Sequence, residues 1–416
     1  MATHCLLVTY CCLSDLHEKK FGIFQRLATL AAAGKEFSGQ LRILCLEPFE
    51  EGPTRGFDSA EAISKNIGEH WGIDCDVIVG RHTPPSALPW IIQQSLGVLR
   101  YRWQPSVRFL LDRQSVSKLQ REFEANPSII IIHRLPTMSW VQKLGLTHPN
   151  MFFDLDDVEH IAASRNITKK TTLWRDKLLT LFSLPSLLHI ELRAIATANG
   201  TFVCSEIDAK RITRISPSSR VSVLPNAVTI PKHNSTVAHL PIILLVGVYS
   251  YYPNKDAADY FINSIFPLIK DKIHDAEFWV AGGNPEQLEC HGKSIPGVKI
   301  LGYVDDLGEI YQQARIVVCP VRQGSGTRVK LVEAAAWGKP IVTTTIGAEG
   351  LELENSIHAL YADTGKHFAD QCLTLLNDMT FCEELGKNAR KLAEQTYDKK
   401  RIVQQLVKEI EEAVGV

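Results

Sequence analysis

The chain has 416 residues, 45% apolar and 22% charged, which fits two ordinary globular domains and excludes a disordered or fibrous protein. A formal net charge of −1 excludes a dominant nucleic-acid-binding role, since counterion release from a phosphate backbone needs a basic surface. Ten cysteines form no CxxC pair and several fall inside apolar strands, so they read as small core residues in a reducing compartment.

Residues 5–10 predict a first strand, and 21–33 a helix with apolar residues at helical spacing, stopped by Gly34. Strands at 41–46 and 76–79 follow without hairpin signals, which means a parallel sheet. The loop 11–21, with His17, Lys19 and Lys20, joins the first strand to the first helix. Residues 90–123 interleave Trp103, Phe109, Leu110 and Leu111 with Arg100, Arg102, Arg108, Arg113, Lys118 and Arg121. Such a segment either rests on an anionic membrane or packs on its own domain with a solvated basic face. Strands at 128–133 and 151–154 end in His133-Arg134 and in Asp154-Leu-Asp156-Asp157-Val-Glu159-His160, at the sheet edge where ligands bind in open α/β folds. A helix at 187–198 and strands at 200–204 and 219–224 complete this half, and 229–240, with Pro231, reads as a linker.

A second strand series runs at 242–246, 278–281, 298–301, 316–319 and 341–344, alternating with helices, and the chain turns helical after Asp363. Its centre is Pro320-Val-Arg322-Gln-Gly324-Ser325-Gly326-Thr327-Arg328-Val-Lys330-Leu-Val-Glu333. A buried strand, a glycine turn and a helix predicted from Thr327 to Trp337 would aim backbone amides and a positive dipole end at an anion, with three cations beside them. Glu333 lies three residues after Lys330 and seven after Gly326, so all three are expected on one face, where a carboxylate could accept two ribose hydroxyls. The alternative is a plain strand-turn-helix with a solvated basic face.

The segment Gly324-x-Gly-x-Arg-x-Lys-x-x-Glu-Ala334, with Gly338-Lys-Pro-Ile-Val, Gly347-Ala-Glu-Gly350, Gly247-Val-Tyr-Ser-Tyr-Tyr-Pro-Asn254 and Gly302-Tyr-Val-Asp-Asp306, resembles the donor-binding signature of retaining glycosyltransferases of family 4, glycosyl transferases group 1. The resemblance spans about 170 residues from Leu240 onward. It implies an α/β chain of two Rossmann-like doubly wound parallel-sheet domains facing a cleft, the GT-B fold. The implied division is 1–228 for the acceptor, 241–396 for the donor, and a last helix, 397–416, crossing back.

The implied reaction is transfer of a hexosyl-type sugar from a nucleotide diphosphate to a carbohydrate, lipid-linked or small-molecule acceptor. It needs no cofactor and no metal, because no Asp-x-Asp accompanies the glycine turn. Arg322, Arg328, Lys330 and the turn amides would meet the leaving diphosphate. Gly247, Tyr249, Asn254, Gly282, Tyr303, Val304, Gly324, Ser325, Gly326, Thr327, Arg328 and Glu333 would bind donor. His133, Asp156, Asp157, Glu159 and His160 are candidates for activating the acceptor, unless the leaving phosphate takes its proton itself. The commonest family pattern has two glutamates eight positions apart, and here the first falls on Ser325, which leaves the sugar open.

A sugar-nucleotide epimerase or phosphorylase would share the sheets, and a non-catalytic nucleotide-binding or membrane-associated protein could share one of them. The first residues lack a basic flank and a long apolar core, and no unbroken run of about 18 apolar residues occurs, so a cytoplasmic protein is expected, peripheral to a membrane at most through 90–123. The sequons at Asn166, Asn199 and Asn234 then read as chance.

Overall fold

A computed structural model describes residues 4–13, 22–47, 59–83, 110–168, 174–232, 238–324 and 326–415. It forms two compact units, Met1–Pro225 with Ile402–Val416, and Asn226–Arg401.

In the first unit the strands are β1 (Cys5–Thr9), β2 (Leu41–Glu47), β3 (Asp76–Thr83), β4 (Leu110–Leu111), β5 (Ile129–His133), β6 (Met151–Leu155), β7 (Gly200–Val203) and β8 (Val221–Val223), in the order β4-β3-β2-β1-β5-β6-β7-β8. All neighbours are parallel except the short β4, which runs against β3. Residues of β1, β5 and β6 are buried throughout, as β-branched and apolar runs covered by helices on both faces must be. The order reverses between β1 and β5, where Thr9 registers with His133.

Three expectations change here. Gly34 does not stop the first helix, which runs Gly22–Ser38. A side chain at Gly34 would come within 2.6 Å of Cys5 Sγ, so the glycine serves close helix–strand packing, and Gly39, at φ +71°, ends the helix instead. The helix expected at 187–198 is the end of a longer one, Trp174–Thr197, which carries Pro185 inside it. Within it Lys177–Thr197 is long and apolar enough to cross a membrane, with mean hydropathy 1.4. It holds no unbroken apolar run of that length, because Ser, His189, Glu191 and Arg193 interrupt it. Of the basic segment 90–123, residues 84–109 lie outside the described residues. The remainder forms β4 and the helix Arg113–Glu124, capped by the Asp112 carboxylate, which accepts from Ser115 N at 2.6 Å. Leu119 and Phe123 pack inward, and Lys118 Nζ donates to Val79 O at 2.8 Å.

The second unit has β9 (Ile242–Val246), β10 (Glu277–Ala281), β11 (Val298–Gly302), β12 (Ile316–Cys319), β13 (Ile341–Thr343) and β14 (Leu360–Tyr361), all parallel, in the order β11-β10-β9-β12-β13-β14. One face of this sheet, which carries Phe278, packs on Phe261, Phe266 and Phe368, the other on Leu331, Ala335 and Tyr397. The stretch after Pro225 is fastened into this unit: Val228 N donates to Tyr397 O and Lys399 N to Val228 O, both at 2.9 Å, and Arg390 Nη2 donates to Pro231 O at 2.7 Å.

Candidate active site

In the second unit the strand order reverses between β9 and β12, which makes the carboxyl ends of these two strands the expected ligand edge. Gly247–Tyr251 leads from β9 into the helix Tyr252–Tyr260, and Pro320–Arg328 leads from β12 into the helix Val329–Ala336. Lys330 Nζ donates to Asn254 Oδ1 at 2.7 Å, and Asn254 Nδ2 donates to Val248 O at 3.0 Å. A side chain at Gly247 would stand 3.0 Å from the Asn254 amide and 3.2 Å from Lys330 Nζ. Burial pushes the Lys330 ammonium below its ordinary pKa, and Arg328 adds to the effect. Glu333, one turn further on, accepts from the Tyr311 hydroxyl at 3.4 Å.

The glycine turn is shaped by its arginine. Gly324 sits at φ +126°, and a side chain there would meet Arg328 Nη2 at 2.8 Å. Arg328 is nearly buried and donates from Nη1 to Gly326 O at 2.7 Å. Thr327 Oγ1 accepts from Asn226 Nδ2 at 2.7 Å. On the neighbouring strand Gly282, at φ +130°, lies so close to β9 that a side chain would fall 1.8 Å from Gly247 O, so only glycine lets these strand ends meet. Tyr303 is exposed just past β11, and Val304 packs partly against the core.

The structure corrects several expectations. The helix begins at Val329 rather than Thr327, so Gly326 lies ahead of it and the seven-residue spacing to Glu333 is not a helical one. Lys330 and Glu333 keep their shared face. Tyr249 does not present itself to a ligand: it is buried, and its hydroxyl donates to Leu245 O at 3.3 Å and Ala281 O at 3.1 Å, tying β9 to β10. Arg322 is engaged, donating from Nε and Nη2 to Asp256 at 3.1 and 2.7 Å with its guanidinium 4.1 Å from the Tyr260 ring centre. Ser325, and the loop residues His17, Lys19 and Lys20, lie outside the described residues.

In the first unit the reversal point is β1 against β5. His133 Nδ1 shares a hydrogen bond with Thr9 Oγ1 at 2.8 Å, and the ring is fully buried. Burial lowers its pKa to about 3, so this candidate for activating the acceptor stands here as a neutral imidazole. Asp154 also points inward, held by Arg26 through Nε at 3.0 Å to both carboxylate oxygens and Nη2 at 2.5 Å, while Arg26 Nη1 donates to Leu224 O at 2.7 Å. The Asp154-Leu-Asp156 spacing therefore gives one structural and one partly exposed carboxylate. Among the described residues no three His, Cys, Asp or Glu side chains gather as metal ligands.

What faces outward is the next layer. Asp156 lies 3.8 Å from Arg26 Nε and 3.9 Å from Arg134 Nε. Burial pushes its carboxyl up, but the two guanidinium groups outweigh that and hold it below the usual range. Arg134 takes φ 70°, ψ 153°, a backbone state almost reserved for glycine, and its amide donates to Asp154 O at 2.8 Å. Asp157 and Glu159 are half-buried. Buried Glu191, from the helix Trp174–Thr197, accepts from Glu159 N at 2.8 Å through Oε1 and meets His160 Nδ1 through Oε2, fixing the start of the helix Glu159–Thr168. Sequence reasoning missed Arg26, Glu191 and Asp256, and noted Arg134 only as part of a charged strand end. Glu191 left one signal, a carboxylate among Leu187, Ile190, Ala194 and Ile195 on a core-facing helix stripe.

Two doubly wound parallel sheets of this topology define the GT-B fold of glycosyltransferases. Solved structures agree over nearly the whole length. HepE of Anabaena, in complex with UDP and glucose, superposes with a TM-score of 0.63 at 16% identity, covering 98% of this chain and 99% of that one. Sucrose-phosphate synthase from Thermosynechococcus elongatus gives 0.64 at 13% identity, covering 99% and 98%. Residues 240–378, within the second unit, match the family model for glycosyl transferases group 1. A curated relative, an uncharacterized 44.6 kDa protein in the cps region of Klebsiella pneumoniae, is 22% identical over 187 residues, 43% of this chain and about half, 48%, of that protein.

Proposed function

We propose that the protein is a glycosyltransferase that moves a sugar from a nucleotide diphosphate, with uridine as the base, onto a hydroxyl of a carbohydrate, lipid-linked or small-molecule acceptor. The observation that carries this reading is the gathering of Gly247, Asn254, Lys330 and Glu333 where β9 meets β12. Glu333 takes the ribose hydroxyls, while Lys330, Arg328 and the amides of the Gly324 to Gly326 turn take the diphosphate. Arg322 joins them only when its pair with Asp256 opens. HepE, with UDP in its crystal structure, supports the choice of base.

The chemical step breaks the bond between the anomeric carbon and the β-phosphate oxygen and forms one to the acceptor oxygen. The acceptor proton passes to the leaving phosphate, on the same face of the sugar, so configuration is retained. Fixed cations aimed at the oxygens that gain charge supply the electrostatic stabilisation, and a chelator should leave the rate unchanged. Asp156, Asp157, Glu159 and Arg134 orient the acceptor on the first unit. We assign the reaction to the cytoplasm, where ten cysteines without a disulfide are at home.

The test is a thermal-shift series with UDP, GDP and ADP, followed by release of UDP from candidate donors with and without acceptor. UDP at about 100 times its dissociation constant adds roughly 2.7 kcal/mol to wild type. Glu333→Ala should lose that gain. Failure of every nucleoside diphosphate to raise the melting temperature overturns the reading.

A further inference from the structure

Two glycines with left-handed backbone angles, Gly324 at φ +126° and Gly326 at φ +71°, shape the turn after β12. Glycines leave an unsupported turn with many conformations to lose when it closes on a ligand. A phosphate cradle of this kind binds well only when something else holds it in shape beforehand. The neighbouring side chains do so from both ends. On the helix side Arg328 reaches back, its Nη1 donating to Gly326 O at 2.7 Å. On the strand side the Thr344 hydroxyl donates to Val321 O, and Arg322, two residues before Gly324, is tied outward to the helix Tyr252–Tyr260.

Asp256 and Tyr260 lie four residues apart on one face of that helix, and the Arg322 side chain spans both. Its Nε and Nη2 take the two oxygens of the Asp256 carboxylate at 3.1 and 2.7 Å, a paired geometry that fixes direction as well as place. The guanidinium carbon stands 4.1 Å from the centre of the Tyr260 ring. Tyr260 is backed in turn by Gly365, where an added side chain would come within 3.0 Å of the phenol oxygen. The Asp256 side chain is only 14% exposed, against 47% for Arg322. To reach a diphosphate, Arg322 would give up the carboxylate and the ring together, and would leave the Asp256 carboxylate without this cation beside an incoming anion. Both costs favour a closed pair. We infer that the pair stays closed when nucleotide binds, and that Asp256 and Arg322 are positioning residues that hold the glycine turn so that its amides meet the diphosphate. The inference rests on the glycosyl-transfer reading and deepens it: Arg322 serves the phosphates through the turn it carries, and contact with them falls to Lys330 and Arg328.

The sign of one substitution separates positioning from direct contact. Asp256→Asn removes a negative charge near the site and liberates Arg322, so an arginine that binds phosphate itself would hold UDP more tightly, whereas loss of positioning weakens it. The experiment is calorimetric titration of the full chain with UDP and with uridine, which lacks the phosphates. Asp256→Asn should weaken UDP about tenfold, the worth of one charge-assisted hydrogen bond from a misplaced amide, and leave uridine as in wild type. Arg322→Met should weaken UDP by a similar factor, and the double variant by no more than the worse single one, since both act through one contact. Melting temperatures should stay within about 3 °C of wild type, because a partly exposed ion pair contributes little to stability. Without any ligand, amide exchange across 322–328 should quicken in both single variants. UDP binding that tightens or holds steady in Asp256→Asn, an equal loss for uridine, additive losses in the double variant, or unchanged exchange overturns the inference and leaves the transfer reading standing. Wild type that binds no nucleoside diphosphate overturns both.

Discussion

Lys330 Nζ and Asn254 Oδ1, 76 residues apart in sequence, are joined at 2.7 Å across the β9–β12 reversal. The contact gives a half-buried ammonium a neutral partner, which itself cancels none of its charge. A carboxylate in the place of Asn254 would have neutralised it. The lysine is therefore held in place yet keeps its charge for an anion, which is what a diphosphate site needs.

Lys330→Met should lower kcat/KM by about 100-fold to 1,000-fold, the range seen when one positioned charge-stabilising group is lost, and should abolish stabilisation by UDP. The unliganded variant should melt no lower than wild type, because a desolvated cation has been removed. Asn254→Ala should cost about tenfold, since the ammonium survives without its guide. Steady-state kinetics with melting curves check all three, and wild-type UDP affinity in Lys330→Met would contradict the assignment.

Arg26 and Asp154 form a buried ion pair, and the two ways of removing it should differ. Asp154→Ala leaves a guanidinium in the interior with its main partner gone and should cost about 3–5 kcal/mol in urea denaturation. Replacing both with apolar residues of similar volume should cost much less. Equal losses in the single and double variants would mean that the charges are not what holds this layer.

His133 makes stability depend on acid in a particular direction. Its folded pKa is lowered to about 3 from the ordinary 6.5 of histidine, so between those values the unfolded chain binds more protons than the folded one. Stability should accordingly rise as pH climbs through this window and fall as pH drops from about 6.5 toward 3. His133→Gln should show a flatter profile over the same range, and the measurement is the difference between the two chemical-denaturation curves. Identical slopes would rule out a buried neutral imidazole.

Arg134 occupies a backbone state that costs of order 1–3 kcal/mol for a residue with a side chain. Arg134→Gly should relieve that strain and hold or raise the melting temperature while lowering transferase activity, because Asp156 loses its outer cation. A variant that is both less stable and fully active would show that the conformation is structural.

How far these features could be read beforehand depended on whether the deciding contact was local. The run Ile129–Ile132 announces a doubly covered strand by composition alone, and all four residues are buried. Lys330 and Glu333 were legible because both lie on one short helix, where spacing determines direction. Gly34 was misread because a glycine that ends a helix and one that admits a neighbouring strand look the same in one dimension. Tyr249 was assigned outward from its place in a motif, although its hydroxyl is used between two strands. His133 looked like a reactive group at a strand end until register placed Thr9 beside it. Arg322 reads from the sequence as a cation for the diphosphate, and nothing near it reveals its pair with Asp256, 66 positions away. The strain at Arg134 has no compositional trace, because arginine gives no hint of a positive φ.

The first unit takes in Ile402–Val416, with the whole of Asn226–Arg401 lying between its two pieces. Within it Gln405 Nε2 donates to Val223 O at 3.3 Å and Asn199 Nδ2 to Ala413 O at 3.4 Å, closing the edge beside β7 and β8. During synthesis the earlier-made unit must therefore wait, its last strands uncovered, until the ribosome has delivered the later one entire. The interrupting unit is contiguous and can mature as it emerges, so the order of completion is the reverse of the order of translation.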